Sequence, residues 1–167
     1  MAEQRFQVHI GTDTLAALHR VRDLVTFAKR EHFEARGTRG LASLAGAIPV
    51  DRDGDARPAL AVARQALDAG RSLLIHPEGT RTKSGALGPF RPGAALLSLE
   101  TGIPLIPVRI RGAFQVFPES RKLPRLWNPA QSRRHKIEVS FGLPLYPSEA
   151  QNPEELTERL RATVEAQ

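Results

Sequence analysis

RSLLIHPEGTRTKSGALGPFRPG, residues 71–93, is the stretch whose reading decides the fold. It opens on the apolar run Leu73-Leu74-Ile75, of the length and type of a buried strand, and the run stops at Pro77. Glu78-Gly79-Thr80-Arg81 then sets an acid, a permissive backbone, a hydroxyl and a guanidinium on consecutive residues. Gly79 allows a tight turn or a close ligand, and Arg81 can make forked contacts to carboxylate or phosphate. A polar loop through Lys83, Ser84, Gly85 and Gly88 leads to Pro92, placed as the first residue of a helix. Strand, charged turn, loop and helix in this order form the segment at which α/β proteins hold ligands. On spacing alone, Glu78 and Arg81 fit equally well as a solvated pair in an ordinary turn.

Outward from this stretch, strands and helices alternate. Leu24 to Ala28 and Ala47 to Val50 read as strands. Thr14 to Val21 reads as a helix with Asp13 as its cap, and Lys29 to Gly40 is polar and ambiguous. Pro58 to Ala69 reads as a helix with Leu60, Ala63 and Leu67 on one face and Gly70 as its stop. Residues 92–101 form the next helix, ended by Gly102. Ile103 to Ile110 reads as a strand whose Pro104 and Pro107 favour an edge or a strand start. Ala113 to Ser132 is proline-rich and irregular, and Ile137 to Phe141 alternates like a half-buried strand. Asn152 with Glu155 is a capping-box signature, and Leu156, Leu160 and Val164 stripe the last helix. The expected architecture is one α/β domain over residues 1–167, with a largely parallel or mixed central sheet flanked by helices.

Composition narrows the chemistry. With 41 % hydrophobic and 25 % charged residues the chain can bury a core, and with no cysteine it has no disulfide, thiolate metal site or cysteine nucleophile. No serine sits in a G-x-S-x-G elbow, no Walker-type glycine loop is present, and no His/Asp/Glu cluster has metal-ligand spacing. The N-terminus lacks the apolar segment of a signal peptide, and the longest charge-free run, Gly40 to Val50, is too short for a bilayer span. A soluble or peripheral protein is expected. The net charge of +6 is concentrated: Ile103 to Lys136 holds eight Lys/Arg (109, 111, 121, 122, 125, 133, 134, 136) against Glu119 alone. Leu123, Leu126 and Trp127 interleave with these charges, which favours anionic lipid over nucleic acid as the partner, beside the alternative of a solvated basic loop.

His76-Pro77-Glu78-Gly79-Thr80-Arg81 resembles the glutamate-glycine-threonine-arginine motif of the 1-acylglycerol-3-phosphate acyltransferase family, the lysophospholipid acyltransferases. Gly46 to Arg52 is similar to the family's second block, a glycine followed six residues later by an arginine. Phe90 to Ala95 and Gly102 to Val108 resemble its later blocks, so that residues 9 to 145 lie along the pattern in order. The resemblance implies a glycerolphosphate-acyltransferase-like fold. It also implies transfer of a fatty acyl group from acyl-CoA or acyl carrier protein to the free hydroxyl of a lysophospholipid, such as 1-acyl-sn-glycerol 3-phosphate, in phospholipid biosynthesis. No metal or bound organic cofactor is implied.

Such a transfer needs a base for the hydroxyl proton, donors for the oxyanion and a grip on the acceptor's phosphate. By resemblance the catalytic pair is His9 as base with Asp13 as its orienter, and Arg52, Glu78, Gly79, Thr80 and Arg81 form the acceptor site. The family spaces its histidine and aspartate by four residues, whereas His9 and Asp13 have three between them. Family members also carry a longer N-terminal stretch, so a shortened member is one expectation. A member that binds lipid phosphate at a membrane surface without catalysis is the alternative. From the residues themselves, Arg52 could equally pair with Asp51, Asp53 or Asp55. Thr80 could bond locally in its turn, and His76 could be a packed residue at the strand's end. The expected setting is cytoplasmic, peripheral at the inner face of the membrane.

Overall fold

A computed structural model of the chain describes residues 8–9, 24–29, 47–50, 55–118, 120–121, 123–125, 127–128 and 133–167. The helix expected from Thr14 to Val21 and most of the ambiguous 29–40 segment lie outside the described residues.

Three parallel strands carry the turn singled out above. They are β2 (Leu24–Lys29), β3 (Ala47–Val50) and β4 (Ser72–Leu74), in the order β3-β2-β4. Thr26 stands level with both Ala47 and Leu74, and its hydroxyl donates to the Leu74 carbonyl at 3.2 Å. The run that read as a strand to residue 76 pairs only through Leu74. Helix α1 (Arg57–Asp68) covers this sheet with Ala59 and Ala63, packed against Val25 and Ile48, so the expected apolar face is the one it buries. Ahead of α1, Asp55 accepts from the Arg57 backbone N–H and from its Nε at 2.9 Å. These bonds hold the Asp55 carboxyl below the usual carboxylate range.

A second sheet joins β1 (Val8–His9), β8 (Glu138–Phe141) and β5 (Val108–Arg111), in the order β1-β8-β5. β1 runs parallel to β8 and β5 antiparallel to it, which makes the fold mixed rather than all-parallel. The strand expected from Ile103 to Ile110 forms only from Val108 onward, with an isolated antiparallel bridge between Leu105 and Leu145 upstream. Pro104 and Pro107 explain the loss, since neither has an N–H for a ladder. β5 is also an outer strand of its sheet, as those prolines indicated. The proline-rich segment is less irregular than expected. It holds helix α3 (Ala113–Val116) and strand β6 (Trp127–Asn128), which pairs antiparallel with β7 (Arg133–Arg134) just past its end.

Helix α2 (Gly93–Thr101) contacts both α1 and the last helix, α4 (Pro153–Ala166), linking the two halves. Leu97 belongs to the cluster under α1, Ala94 packs with Leu160 and Val164 of α4, and Ile75 touches both clusters. The N-cap half of the capping box of α4 is formed as read, and the return bond falls one residue earlier, on Gln151. The Asn152 side chain accepts from the Glu155 N–H at 2.8 Å, while Glu155 accepts in return from the Gln151 N–H at 2.8 Å.

Leu156 is fully buried on the stripe of α4, whereas Leu143 is largely exposed. In urea unfolding, Leu156→Ala is expected to cost about 2–5 kcal/mol, by lost burial plus the cavity left behind. Leu143→Ala should stay within about 0.5 kcal/mol of the parent, and equal losses from the two would contradict this packing.

Candidate functional site

Beyond β4 the chain reverses in a short turn. The Gly79 N–H donates to the His76 carbonyl at 2.9 Å, which puts Pro77 second and Gly79 fourth, the residue choice of a type I turn. Gly79 has φ +71°, and a Cβ there would stand 3.2 Å from Arg91 Nε. A side chain at 79 is therefore opposed by backbone conformation and by space together. The Arg91 N–H donates to the Pro77 carbonyl at 2.9 Å, so the end of the loop returns to its start.

Glu78 closes that loop from the side. Its Oε2 accepts from the Gly88 N–H at 2.8 Å, and a Cβ on Gly88 would lie 2.8 Å from the same oxygen. Inside the loop, the Thr82 hydroxyl accepts from the Gly85 N–H at 2.9 Å and donates to the Ala86 carbonyl at 2.8 Å. The local hydroxyl bonding considered for Thr80 thus appears at Thr82, and Thr80 is exposed. His76 lies beyond the end of β4 and is exposed, not packed.

Arg81 reaches across to a distant part of the chain. Its Nη1 donates to the carbonyls of Pro118 at 3.1 Å and Arg121 at 3.2 Å, and its ζ-carbon stands 4.3 Å from the centroid of the Phe117 ring. The receiving loop is tied at its base, where the Arg125 N–H donates to the carbonyl of buried Val116 at 2.6 Å. Beside this junction an open groove of about 470 Å³ is lined by Lys83, Phe114, Pro118 and Ser120.

The sequence-expected residues divide as follows. Glu78, Gly79, Thr80 and Arg81 sit together on the turn past the carboxyl end of β4, at the edge where parallel sheets bind ligands. His9 ends β1, with its backbone opposite Ser140 in the other sheet. Asp13 and Arg52 lie outside the described residues. Of the acids proposed as partners for Arg52, Asp55 is held by Arg57. Among the described residues no group of three His, Cys, Asp or Glu side chains could hold a metal ion.

Sequence reasoning placed Gly88 in the loop but missed its bond to Glu78, and it missed the return of Arg91 to the turn and Phe117 as the ring beneath Arg81. The basic run is also partly structural. Arg109 Nη1 donates to the carbonyls of Val164 at 3.1 Å and Glu165 at 2.5 Å, Arg111 Nη2 donates to the Gln167 carbonyl, and Lys136 pairs with Glu138 at 3.8 Å. These two arginines satisfy the open carbonyl end of α4.

The model of the acyltransferase family matches residues 12–111, a range that holds the whole 78–88 loop and begins three residues after His9. The 1-acyl-sn-glycerol-3-phosphate acyltransferase alpha of Mus musculus is 38 % identical over 111 residues, covering 64 % of this chain and 38 % of the relative. The chloroplastic 1-acyl-sn-glycerol-3-phosphate acyltransferase BAT2 of Brassica napus is 34 % identical over 79 residues, covering 46 % of this chain and 23 % of the relative. The chain thus spans well under half the length of either. The crystal structure of the 1-acyl-sn-glycerophosphate acyltransferase PlsC from Thermotoga maritima superposes with a TM-score of 0.69 at 23 % identity, over 86 % of this chain and 55 % of that one. This last likeness bears out the expected fold.

A paired substitution checks the loop geometry. Gly88→Ala makes the Glu78 carboxylate swing away from the Gly88 N–H and is expected to lose about 0.5–1.5 kcal/mol in denaturant unfolding. Gly93→Ala, whose methyl among the described residues meets Leu60 alone, at 3.5 Å, within the first turn of α2, should gain up to about 1 kcal/mol. The same sign for both would contradict the described loop.

Proposed function

The chain belongs to the acyltransferase family, and from that premise we propose that it moves a fatty acyl group from a thioester to the free hydroxyl of a lysophospholipid, most simply 1-acyl-sn-glycerol 3-phosphate. The observation carrying this reading is that the family match includes the Glu78–Arg81 turn, and that this turn stands at the carboxyl edge of the parallel sheet. The donor is acyl-CoA or acyl carrier protein.

In the proposed reaction His9 takes the proton from the acceptor hydroxyl as its oxygen attacks the thioester carbonyl. The tetrahedral oxyanion collapses, the C–S bond breaks, and the departing thiolate recovers the proton from the imidazolium. Asp13 holds the imidazole in its working tautomer. Arg52 and the Glu78–Arg81 turn hold the acceptor's phosphate. Arg81 Nη1 donates to two carbonyls, which fix the position from which its charge acts on the phosphate. A substrate with a long acyl chain partitions into bilayers, which supports a peripheral setting at the inner face of the membrane. No helix among the described residues is long and apolar enough to cross a membrane.

A second reading, a lipid-phosphate binding member without catalysis, is favoured by one observation: His9 and Asp13 have three residues between them and His9 precedes the matched range.

Radiolabelled acyl transfer to 1-acylglycerol 3-phosphate separates the two. With acyl-CoA and acyl carrier protein tried as donors, the parent should form diacylglycerol phosphate, and His9→Ala should be slower by about 10²–10⁴. Equal rates would remove His9 from the mechanism. No product from the parent with either donor would leave the binding reading.

A further inference from the structure

We propose that the loop closed between Val116 and Arg125, together with the adjoining strand β6, is the surface on which this protein rests against an anionic lipid bilayer. The proposal rests on the lipid-acceptor reading above for its purpose, and on separate observations for its place.

The first observation is the pattern of exposure. Phe117 is 37 %, Leu123 78 % and Trp127 54 % accessible, three large apolar side chains within eleven residues of chain. Isolated exposed apolar residues are ordinary, but a run rimmed by cations marks a contact surface. Arg121 and Arg125 are exposed in the same run. The hairpin register sets Trp127 opposite Arg134 and Asn128 opposite Arg133, so the chain brings its other basic pair beside the indole's strand. An indole at an interface buries its ring while keeping its N–H wet.

The second observation is charge complementarity. After Arg109, Arg111 and Lys136 are assigned to α4 and Glu138, the remaining cations of the run all fall between residues 121 and 134, with no acid in that interval. Each cation near an anionic leaflet adds attraction that a neutral leaflet lacks. A second copy of the chain would bring the same positive charge to this face and be repelled. Nucleic acid would match the charge but leave Leu123 and Trp127 without an apolar partner.

The third observation is mechanical. The loop is fixed at its base by the Arg125 N–H to Val116 bond and internally by the Arg121 N–H to Pro118 bond at 3.1 Å. Arg81 clasps it through two carbonyls and Phe117. A bilayer beneath this loop is therefore held beside the Glu78–Arg81 turn. An acceptor could then offer its phosphate to the turn while its acyl chain stays in the leaflet.

Trp127 is the sole tryptophan and so reports its own environment. Its fluorescence in the full chain is titrated with vesicles of phosphatidylcholine alone and of phosphatidylcholine with phosphatidylglycerol. A blue shift, quenching by lipids brominated along the acyl chain, and at least about tenfold tighter binding to the anionic vesicles are expected. Leu123→Asp and Arg125→Glu should each weaken vesicle binding about tenfold or more. Leu123→Asp should still acylate a short-chain, monomeric lysophosphatidate at the parent rate. Lack of a blue shift, equal binding to both vesicle types, or unaltered binding by both variants would overturn the proposal. So would the same shift on raising protein concentration without lipid, or on adding an oligonucleotide instead. Binding without acyl transfer would remove the catalytic reading and keep the surface, and transfer without binding would do the reverse.

Discussion

The guanidinium of Arg81, lying over Phe117 and donating to two backbone carbonyls, joins segments of chain 37 and 40 residues apart. Each bond is worth about 1 kcal/mol net and the ring contact about 0.5–1 kcal/mol at an exposed site. What matters is where these modest terms act. Among the described residues, neither the 78–88 loop nor the loop from Val116 to Arg125 belongs to a sheet, and their mutual position depends on contacts such as this one. Lysine would supply charge without the flat guanidinium that covers a ring while one of its nitrogens meets two carbonyls.

The turn itself is anchored from beneath. β4 lies against β2, and the next apolar residue, Ile75, packs into both hydrophobic clusters. Three residues later the backbone carries Glu78, whose carboxylate is met by the Gly88 N–H. Core packing thus sets the start of the loop, and a charge-assisted hydrogen bond sets its width. Arg91 fills the space that a side chain on Gly79 would need. The motif's glycine is accordingly a requirement of the protein's own packing, whatever it also offers a ligand.

Much of this frame could be read from the residues. The proline start of α1, the Asn152–Glu155 cap and the Leu156, Leu160 and Val164 stripe are local patterns with local causes, and each stands where the chain indicated. The strand expected from Ile103 forms only from Val108, because Pro104 and Pro107 have no N–H to give to a ladder. Arg81's carbonyl partners were illegible, since nothing in a linear reading ties residue 81 to residues 118 and 121. The charge count erred in a related way. It did not separate Arg109 and Arg111 from the rest of the run, whereas the end of α4 takes both. Of the candidate site, the position of the turn past β4 was legible and the residues that support it were not. His9 was found by resemblance and is placed by its backbone register, while Asp13 and Arg52 rest on resemblance alone.

The account's central claim is that Arg81 holds the basic, apolar loop against the turn, and backbone amide hydrogen exchange tests it directly. In Arg81→Ala the Arg125 amide, bonded to the Val116 carbonyl in the parent, should exchange about tenfold faster or more. Amides within α4 should keep their protection. Unchanged exchange at Arg125 would mean that the loop holds its position without the clasp, and would contradict the account.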